Sequence, residues 1–543
     1  MIERDNPMRK LLLLPFMLIF VLCSCQAEER AEMITFNDER VVETVKNEKL
    51  EKKVDYNDPD WAKDCWVIDI DPDWPQIYVD PTSKETVLSS IDDYFKYILG
   101  TGVTDIAVCP FEQNSLVPTE SDAITWMYEK YDWTEENGVS VDYSKYEPLY
   151  KVYKEMGLDI FEIVYGKIKD AGVRPWLTFR MNDVHYGSDD ASYLRSDLYY
   201  EAQENGYMLG SKYGYYATGF DFSHERIRQV MLDYIEELAL RYDVFGLQLD
   251  FIREIFCFDY INNDDCAEIM TQFVRDVKAI VEKAEAKFGH DIKLSVRFGR
   301  SIEHNKVFGF DAETWVKESL VDVLVPSPRW EVTDSAIPVE EWKKLAGDNV
   351  VIWAGMETRM TNSSFVKAEY AKGYSAGFYA KGADGIYYDN FYQLGSDGPS
   401  IWDFARRDLT QGVRRFTVTY QDIVPEGMTG YRPLPIKLCG DEKKSISICM
   451  GEIGKDETVL VAVCLEKGFM EAPSLSLNGI DSTSVQFIDL EDAFFSGETK
   501  PTHLEGGQFV LYTFRGIEVS ADIEMKFENG TATINYVELA VQP

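Results

Sequence analysis

Histidine, positive charge and long apolar runs are scarce in this 543-residue sequence. Lys and Arg total 55 against 94 Asp and Glu, a formal net charge of −39. That balance excludes a nucleic-acid partner, because binding phosphates takes a basic footprint that displaces counterions. An uncharged sugar suits such a surface better than an acidic polymer does, and the charge also keeps the chain soluble. After the first two dozen residues, no apolar run approaches the roughly 20 residues of a bilayer-spanning helix. The five histidines form no His-Glu-x-x-His pair, and the sequence has neither a Walker loop nor a Gly-x-Ser-x-Gly elbow. Beyond residue 25 the cysteines form no Cys-x-x-Cys pair, and their spacings match no zinc site. Asp69-Ile-Asp-Pro-Asp73 lacks the Gly and terminal Glu of a calcium loop, so no metal or other cofactor is expected. There is no internal repeat and no low-complexity tract.

What is present begins at the N-terminus. Met8-Arg9-Lys10 precedes the apolar stretch Leu11 to Leu22, followed by Leu22-Cys23-Ser24-Cys25. A basic start, a short apolar stretch and small residues at the cut describe a secretory signal over residues 1–24. The ending resembles a bacterial lipobox, which implies that Cys25 is diacylated and becomes the new N-terminus. Gln26, in place of Asp, points to the outer membrane in a host that has one. The expected location is the cell envelope, with the membrane reached by the lipid anchor alone. Cys257/Cys266 and Cys439/Cys449 suit short-range disulfides in such an oxidising compartment. Cys109 reads as a small buried hydrophobe.

Residues 25–60 are charged and short of apolar clusters, which reads as a tether. From residue 61 to 414 the pattern is short apolar runs between amphipathic stretches. The runs are Trp66–Ile70, Val103–Cys109, Arg174–Arg180, Val244–Asp250, Ile292–Arg297, Val321–Val325, Val350–Ala354 and Gly385–Tyr388. Helical periodicity marks Leu149–Ala171, Ile269–Phe288 and Phe365–Ala380. It is clearest over Ser223–Asp243, with Ser223 as the expected N-cap. Eight such units predict an α/β fold, a (β/α)8 TIM barrel. An open doubly wound sheet would often carry a Gly-rich loop after its first strand, and none occurs here. Residues 415–543 alternate in short runs between Gly, Asn and Asp, which predicts a C-terminal antiparallel β-sandwich.

A barrel of this kind builds its site from residues just past the strand ends. Those are Asp71 and Asp73; Glu112; Arg180, Asn182 and His185; Asp250, Arg253 and Glu254; Arg297 and Arg300; Arg329 and Trp330; Glu357 and Arg359; Asp389 and Asn390. Long loops, Pro110–Tyr146 and Met181–Phe222, follow the second and third strands, and the latter is rich in tyrosine. So many ionisable groups at one mouth must pair with one another to be buried.

The sharpest signal is Tyr242-Asp243-Val244-Phe245-Gly246-Leu247-Gln248-Leu249-Asp250-Phe251-Ile252-Arg253. With Phe220-Asp221-Phe222-Ser223 upstream and Trp315 to Pro326 downstream, it resembles the glycoside-hydrolase-like (family 10-like) barrel lipoproteins over about residues 64–395. The sixth strand departs from that group, continuing Ser327-Pro-Arg-Trp330. The resemblance implies a carbohydrate-active barrel whose substrate is an oligosaccharide or a polysaccharide fragment.

Glycoside hydrolysis needs two carboxyl groups about the scissile bond. Asp250 is the expected nucleophile or base. Glu357 is the expected general acid, from a seventh strand taken to face the fourth across the barrel. Glu112, Arg180, Asn182, His185, Arg253, Glu254, Arg297, Trp330 and Asp389 are the expected substrate contacts. A non-hydrolytic glycan-binding barrel is the alternative reading. A barrel hydrolase acting on an amide or a phosphodiester is a third.

Overall fold

A computed structural model describes residues 54–70, 72, 74–96, 98–99, 101–128, 147–187, 195–329, 336–360, 364–365, 368–391, 414–418, 423–468, 471–488 and 507–543. All of these residues fall within one compact unit. Eight parallel strands close into a barrel. They are β1 Cys65–Ile70, β2 Asp105–Val108, β3 Arg174–Arg180, β4 Gly246–Asp250, β5 Lys293–Gly299, β6 Val323–Ser327, β7 Val351–Glu357 and β8 Gly385–Phe391. Strand β8 pairs back onto β1, so no edge is left open. The returning helices are α1 Lys84–Phe95, α2 Ile160–Asp170, α3 Glu225–Arg241, α4 Cys266–Phe288, α5 Ala312–Lys317, α6 Val339–Ala346 and α7 Ala368–Ala380. The strands expected from the apolar runs are all present, shifted by a few residues at most.

Helix α3 buries Ile227, Val230, Met231, Tyr234, Ile235 and Leu238, the face its periodicity defines. Its cap lies one residue later than expected. His224 holds the N-cap position without a side-chain bond, and the Ser223 amide instead donates to Asp221 Oδ1 at 2.9 Å. The helix expected over Leu149–Ala171 breaks in two at Gly157, whose φ is +64°, and α2 restarts with Asp159 capping the amides of Phe161 and Glu162.

The barrel strands alternate between two faces. In β4, Leu247 and Leu249 lie on one face, while Gly246, Gln248 and Asp250 lie on the other. Gln248 Oε1 accepts a hydrogen bond of 2.6 Å from the hydroxyl of Tyr387 on β8, so its face is the barrel interior. The lower interior is apolar. Cys65, Val67, Ala107, Trp176, Phe245, Val323, Val325, Val351, Trp353 and Tyr387 form one buried cluster, with the Trp176 and Trp353 rings edge-on at 5.1 Å. A Cβ at Gly246 would fall inside the Trp176 indole, so only glycine fits there. Val54, Tyr56, Trp61 and Ala62 pack against this cluster, so the folded body starts earlier than residue 61. Tyr56 also stacks on His290 at 3.7 Å.

The C-terminal region is a β-sandwich. Its strands are β9 Arg414–Thr417, β10 Ile436–Leu438, β11 Lys444–Cys449, β12 Thr458–Leu465, β13 Ser474–Leu477, β14 Ile480–Asp481, β15 Ser484–Ile488, β16 Gln508–Arg515, β17 Asp522–Glu528 and β18 Ala532–Gln542. One antiparallel sheet runs β9-β18-β12-β16-β15 with β10 added to β18, and the other runs β11-β17-β13-β14. Helix α7 joins the sandwich to the barrel. A Cβ at Gly373 would strike the Arg415 carbonyl, and one at Gly377 the Cys449 carbonyl, so two glycines one turn apart let backbone meet backbone. Beside them, buried Glu538 accepts from Tyr370 of α7 at 2.5 Å, from Arg415 at 2.6 Å and from Tyr536 at 2.8 Å.

The seven described cysteines are all free, so neither of the two candidate disulfides is formed. Cys266 Sγ donates to the Asn263 carbonyl at 3.0 Å, and Cys449 Sγ to the Gly377 carbonyl at 3.5 Å, while Cys439 is exposed. Cys25 and the signal segment lie outside the described residues. Among the described residues, no helix is long and apolar enough to cross a membrane.

Candidate active site

Polar residues take over the interior at the carboxyl ends of the strands. Arg180, Asp250, Ser327 and Glu357 end β3, β4, β6 and β7, and Asp69, Arg297 and Asp389 lie within two residues of the ends of β1, β5 and β8. Each is at least nine-tenths buried. Each occupies the same parity as the interior residues below it, so the even alternation of the strands aims all of them at the barrel axis.

Arg297 organises the layer. Its Nη1 donates to Asp250 Oδ2 at 2.9 Å, its Nη2 to Asp389 Oδ2 at 2.5 Å and its Nε to Ser327 Oγ at 3.3 Å, while the guanidinium lies 5.5 Å from the Tyr387 ring centre. Asp250 Oδ1 accepts the backbone amides of Ile252 at 3.0 Å and Arg253 at 3.3 Å, which fixes the turn leaving β4. In the closed order, β4 stands four strands from β8 and three from β7, so the residue facing Asp250 is Asp389. This corrects the expected β4–β7 opposition, because in an eight-membered ring only strands four apart are diametric. Glu357 sits beside Asp389, paired with it in register.

Asp69 is the site residue that the strand-end reading missed. One oxygen from each of Asp69, Asp250 and Asp389 lies within 4.8 Å of the other two. Arg297 bonds two members of this trio, whereas Asp69 Oδ1 is buried with no hydrogen-bond partner. Burial first, and then the neighbouring carboxylates of Asp389 and Asp250, push the Asp69 carboxyl well above the usual carboxylate range. Asp250 is raised as well, mainly by burial, with Arg297 pulling the other way. Three carboxylates could hold a cation, but the guanidinium already on two of them supplies the cluster with its own counter-charge.

A second network flanks the first. Arg180 donates to Glu112 at 3.1 Å and lies 3.7 Å from Asp183. Asp183 Oδ1 meets His185 Nδ1 at 2.7 Å, and Arg253 lies 3.8 Å from the same carboxylate and touches His185 Nε2. Burial disfavours the Asp183 charge, but His185, Arg253 and Arg180 outweigh it and hold the carboxyl well below its usual range. Glu254, raised chiefly by burial, accepts from Arg329 at 3.0 Å. Of the expected substrate contacts, Arg297 and Asp389 lie in the first network, Glu112, Arg180, His185 and Arg253 in the second, and Glu254 pairs with Arg329.

Asn182 is not available to a substrate. Its amide donates to the carbonyls of Phe220 and Phe256 at 3.0 and 2.8 Å and accepts from the Phe220 amide at 3.0 Å, so its bonding capacity braces the β3 loop. Arg300 is likewise engaged away from the trio, donating to the Ala336 carbonyl and lying 5.7 Å from the Tyr431 ring centre. Asp71, Asp73 and Trp330 lie outside the described residues, as do the side chains of Arg359 and Asn390. The signal for Asp69 was the two-residue alternation Cys65, Val67, Asp69, which places it on the interior face of β1.

No protein-family model matches the chain, and no curated protein matches it either. Among solved structures it is similar to the PgaB (BpsB) glycoside hydrolase domain from Bordetella bronchiseptica, with 10% identity, a TM-score of 0.38, and 63% of this chain and 99% of that one covered. It is similar to alpha-L-fucosidase isoenzyme 2 from Paenibacillus thiaminolyticus, with 11% identity and a TM-score of 0.39, over 64% of this chain and 48% of that one. A third likeness is to the GH36 alpha-galactosidase AgaA from Geobacillus stearothermophilus, with 9% identity and a TM-score of 0.35, over 88% of this chain and 57% of that one. The chain spans about half the length of the last two.

Proposed function

We propose that the barrel is a retaining glycoside hydrolase in which Asp250 is the nucleophile and Asp69 holds the proton. The supporting observation is the close approach of their oxygens, within 4.8 Å, at the mouth of the barrel. Retaining glycosidases keep their two carboxyl groups about 5–5.5 Å apart, whereas inverting enzymes leave about 6.5–9.5 Å for a water. Arg297 and two backbone amides favour an ionised Asp250, while the unpartnered Asp69 favours its acid form. In the first step the Asp250 carboxylate attacks the anomeric carbon. Asp69 gives its proton to the glycosidic oxygen, and the aglycone leaves as an alcohol. Water then cleaves the glycosyl ester, returning its proton to Asp69 and freeing Asp250. Glu357, buried beside Asp389, is the alternative proton donor.

The test is release of a chromogenic aglycone from a panel of aryl glycosides. Asp250→Asn should abolish it. Asp69→Asn should slow substrates with poor leaving groups far more than dinitrophenyl glycosides, and that leaving-group dependence in Glu357→Gln instead would move the acid role to Glu357. Full activity in Asp250→Asn would refute the assignment. The neutralisation of Asp250 and Asp389 by Arg297 is the one observation favouring a non-hydrolytic glycan-binding barrel. Oligosaccharide binding by calorimetry, with no product after long incubation, would support that reading.

The proposal extends to a lipid-anchored enzyme of the cell envelope, in the outer membrane where the host has one, held through Cys25. Palmitate labelling that is lost in Cys25→Ala tests this part, and unlabelled wild-type protein would contradict it.

A further inference from the structure

Between β3 and α3, residues Ser211–Tyr216 form a tight helical run broken at Gly214, where φ is 58° and ψ −117°. That left-handed φ strains any side-chain-bearing residue, and it separates the neighbouring tyrosines. Tyr213 turns inward, donating its hydroxyl to Asp259 at 3.0 Å, with its ring 5.3 Å from Phe256. Tyr216 packs on Phe256 at 4.7 Å. Tyr215 turns outward and is 60% exposed, more than any other large apolar or aromatic residue among those described.

Its orientation is nevertheless fixed. The Arg329 guanidinium lies 5.6 Å from the Tyr215 ring centre and 5.5 Å from that of Tyr216. Arg329 is itself held by the buried Glu254 at 3.0 Å. Glu254 is four residues past Asp250, on the turn whose amides the Asp250 carboxylate caps. Its second oxygen, Oε1, is buried without a hydrogen-bond partner. A chain of contacts therefore ties the exposed ring, through a cation and a buried carboxylate, to the turn that follows the proposed nucleophile.

We propose that Tyr215, backed by Arg329, is the stacking floor of a sugar subsite at the rim of the barrel. The ligand class is a neutral oligosaccharide of at least two units, one in the acidic layer and one on Tyr215. A pyranose offers a C–H face to the electron-rich ring, on the side of Tyr215 away from Arg329. This rests on the carbohydrate reading of the same barrel.

Calorimetry on full-length Asp250→Asn protein, with cello-, malto-, xylo-, chito- and galacto-oligosaccharides and their monosaccharides, tests it without turnover. Adding Tyr215→Ala should weaken the best-bound oligosaccharide about ten-fold and leave its monosaccharide within about two-fold. Adding Tyr215→Phe, which keeps the ring, should leave both within about two-fold. Equal oligosaccharide affinity with and without Tyr215→Ala would overturn the subsite. So would an equal loss for monosaccharide and oligosaccharide, or no binding of any oligosaccharide in the set. Oligosaccharide binding that depends on Tyr215, in a wild-type protein that hydrolyses nothing, would uphold the subsite and remove only the hydrolase reading.

Discussion

Asp69 and Asp105 lie on neighbouring strands at opposite ends of the barrel, and both are buried. Asp105, at the lower end, accepts from Arg174 at 2.7 and 2.5 Å, from the Trp176 indole at 2.8 Å and from Thr104 at 2.6 Å. Asp69, at the mouth, has an oxygen with no partner and a pKa raised by burial and by two other carboxylates. The same residue type, nearly as deep, is fully satisfied at one end and left short at the other. A satisfied carboxylate holds the fold together, whereas one buried short of partners favours its protonated form. The lower end is filled by Trp176, Phe245 and Trp353 and covered by Tyr56 and Trp61.

Substitutions at the two ends should therefore separate activity from stability. The largest expected effect is at the mouth. Asp250→Asn should lower kcat by about 10³-fold or more, with an unchanged circular dichroism spectrum, and a smaller loss would put the nucleophile elsewhere. Next is the lower end, where Asp105→Asn strips Arg174 of its counter-charge. It should cost about 3–5 kcal/mol in urea unfolding while leaving kcat per folded molecule intact. A drop in kcat there would blur the division between the two ends.

A smaller effect is expected where the barrel meets the sandwich. Gly377→Ala, whose Cβ meets the Cys449 carbonyl, should cost about 1–3 kcal/mol with kcat unchanged. An unaltered denaturation midpoint would show that this helix does not bear on β11.

The smallest thermal effect belongs to Asp69→Asn, and its sign is the informative part. Asp69 has a higher pKa folded than unfolded, so the native state keeps the proton longer. Its contribution is fully present below the unfolded value of about 3.9 and is lost as pH rises through the folded value. Asp69→Asn should therefore raise Tm by about a few degrees at alkaline pH, have less effect in acid, and remove the alkaline limb of the pH–rate profile. A Tm lowered at every pH would make Asp69 a structural carboxylate like Asp105.

Much of this was legible in the sequence. The apolar runs located the eight strands because parallel barrel strands are buried on both faces, and Asp250 stood out where one run ended in charge. Asp69 was hidden for the same reason. Within Trp66-Val-Ile-Asp-Ile70 the interior position preceding it is valine, as apolar as the outward isoleucines, so run-reading placed the site two residues late, at Asp71. The role of Asn182 was not legible, because its partners are the carbonyls of Phe220 and Phe256, 38 and 74 residues away. The facing of Asp250 by Asp389 was within reach, since a ring of eight sequential parallel strands sets β4 opposite β8 and not opposite β7. The tyrosine-rich loop was visible as composition, but not which of its rings are buried, as Tyr186 and Tyr199 are, and which is exposed, as Tyr215 is beside the kink at Gly214.

The most direct test of the Asp69–Asp250 pair is the anomeric configuration of the first-released sugar, followed by proton NMR before mutarotation. The short carboxyl separation predicts retention, with the product appearing first in the configuration of the substrate. First appearance of the inverted anomer would require a water between more widely spaced carboxyl groups, and would contradict the assignment of Asp69 and Asp250 as the reacting pair.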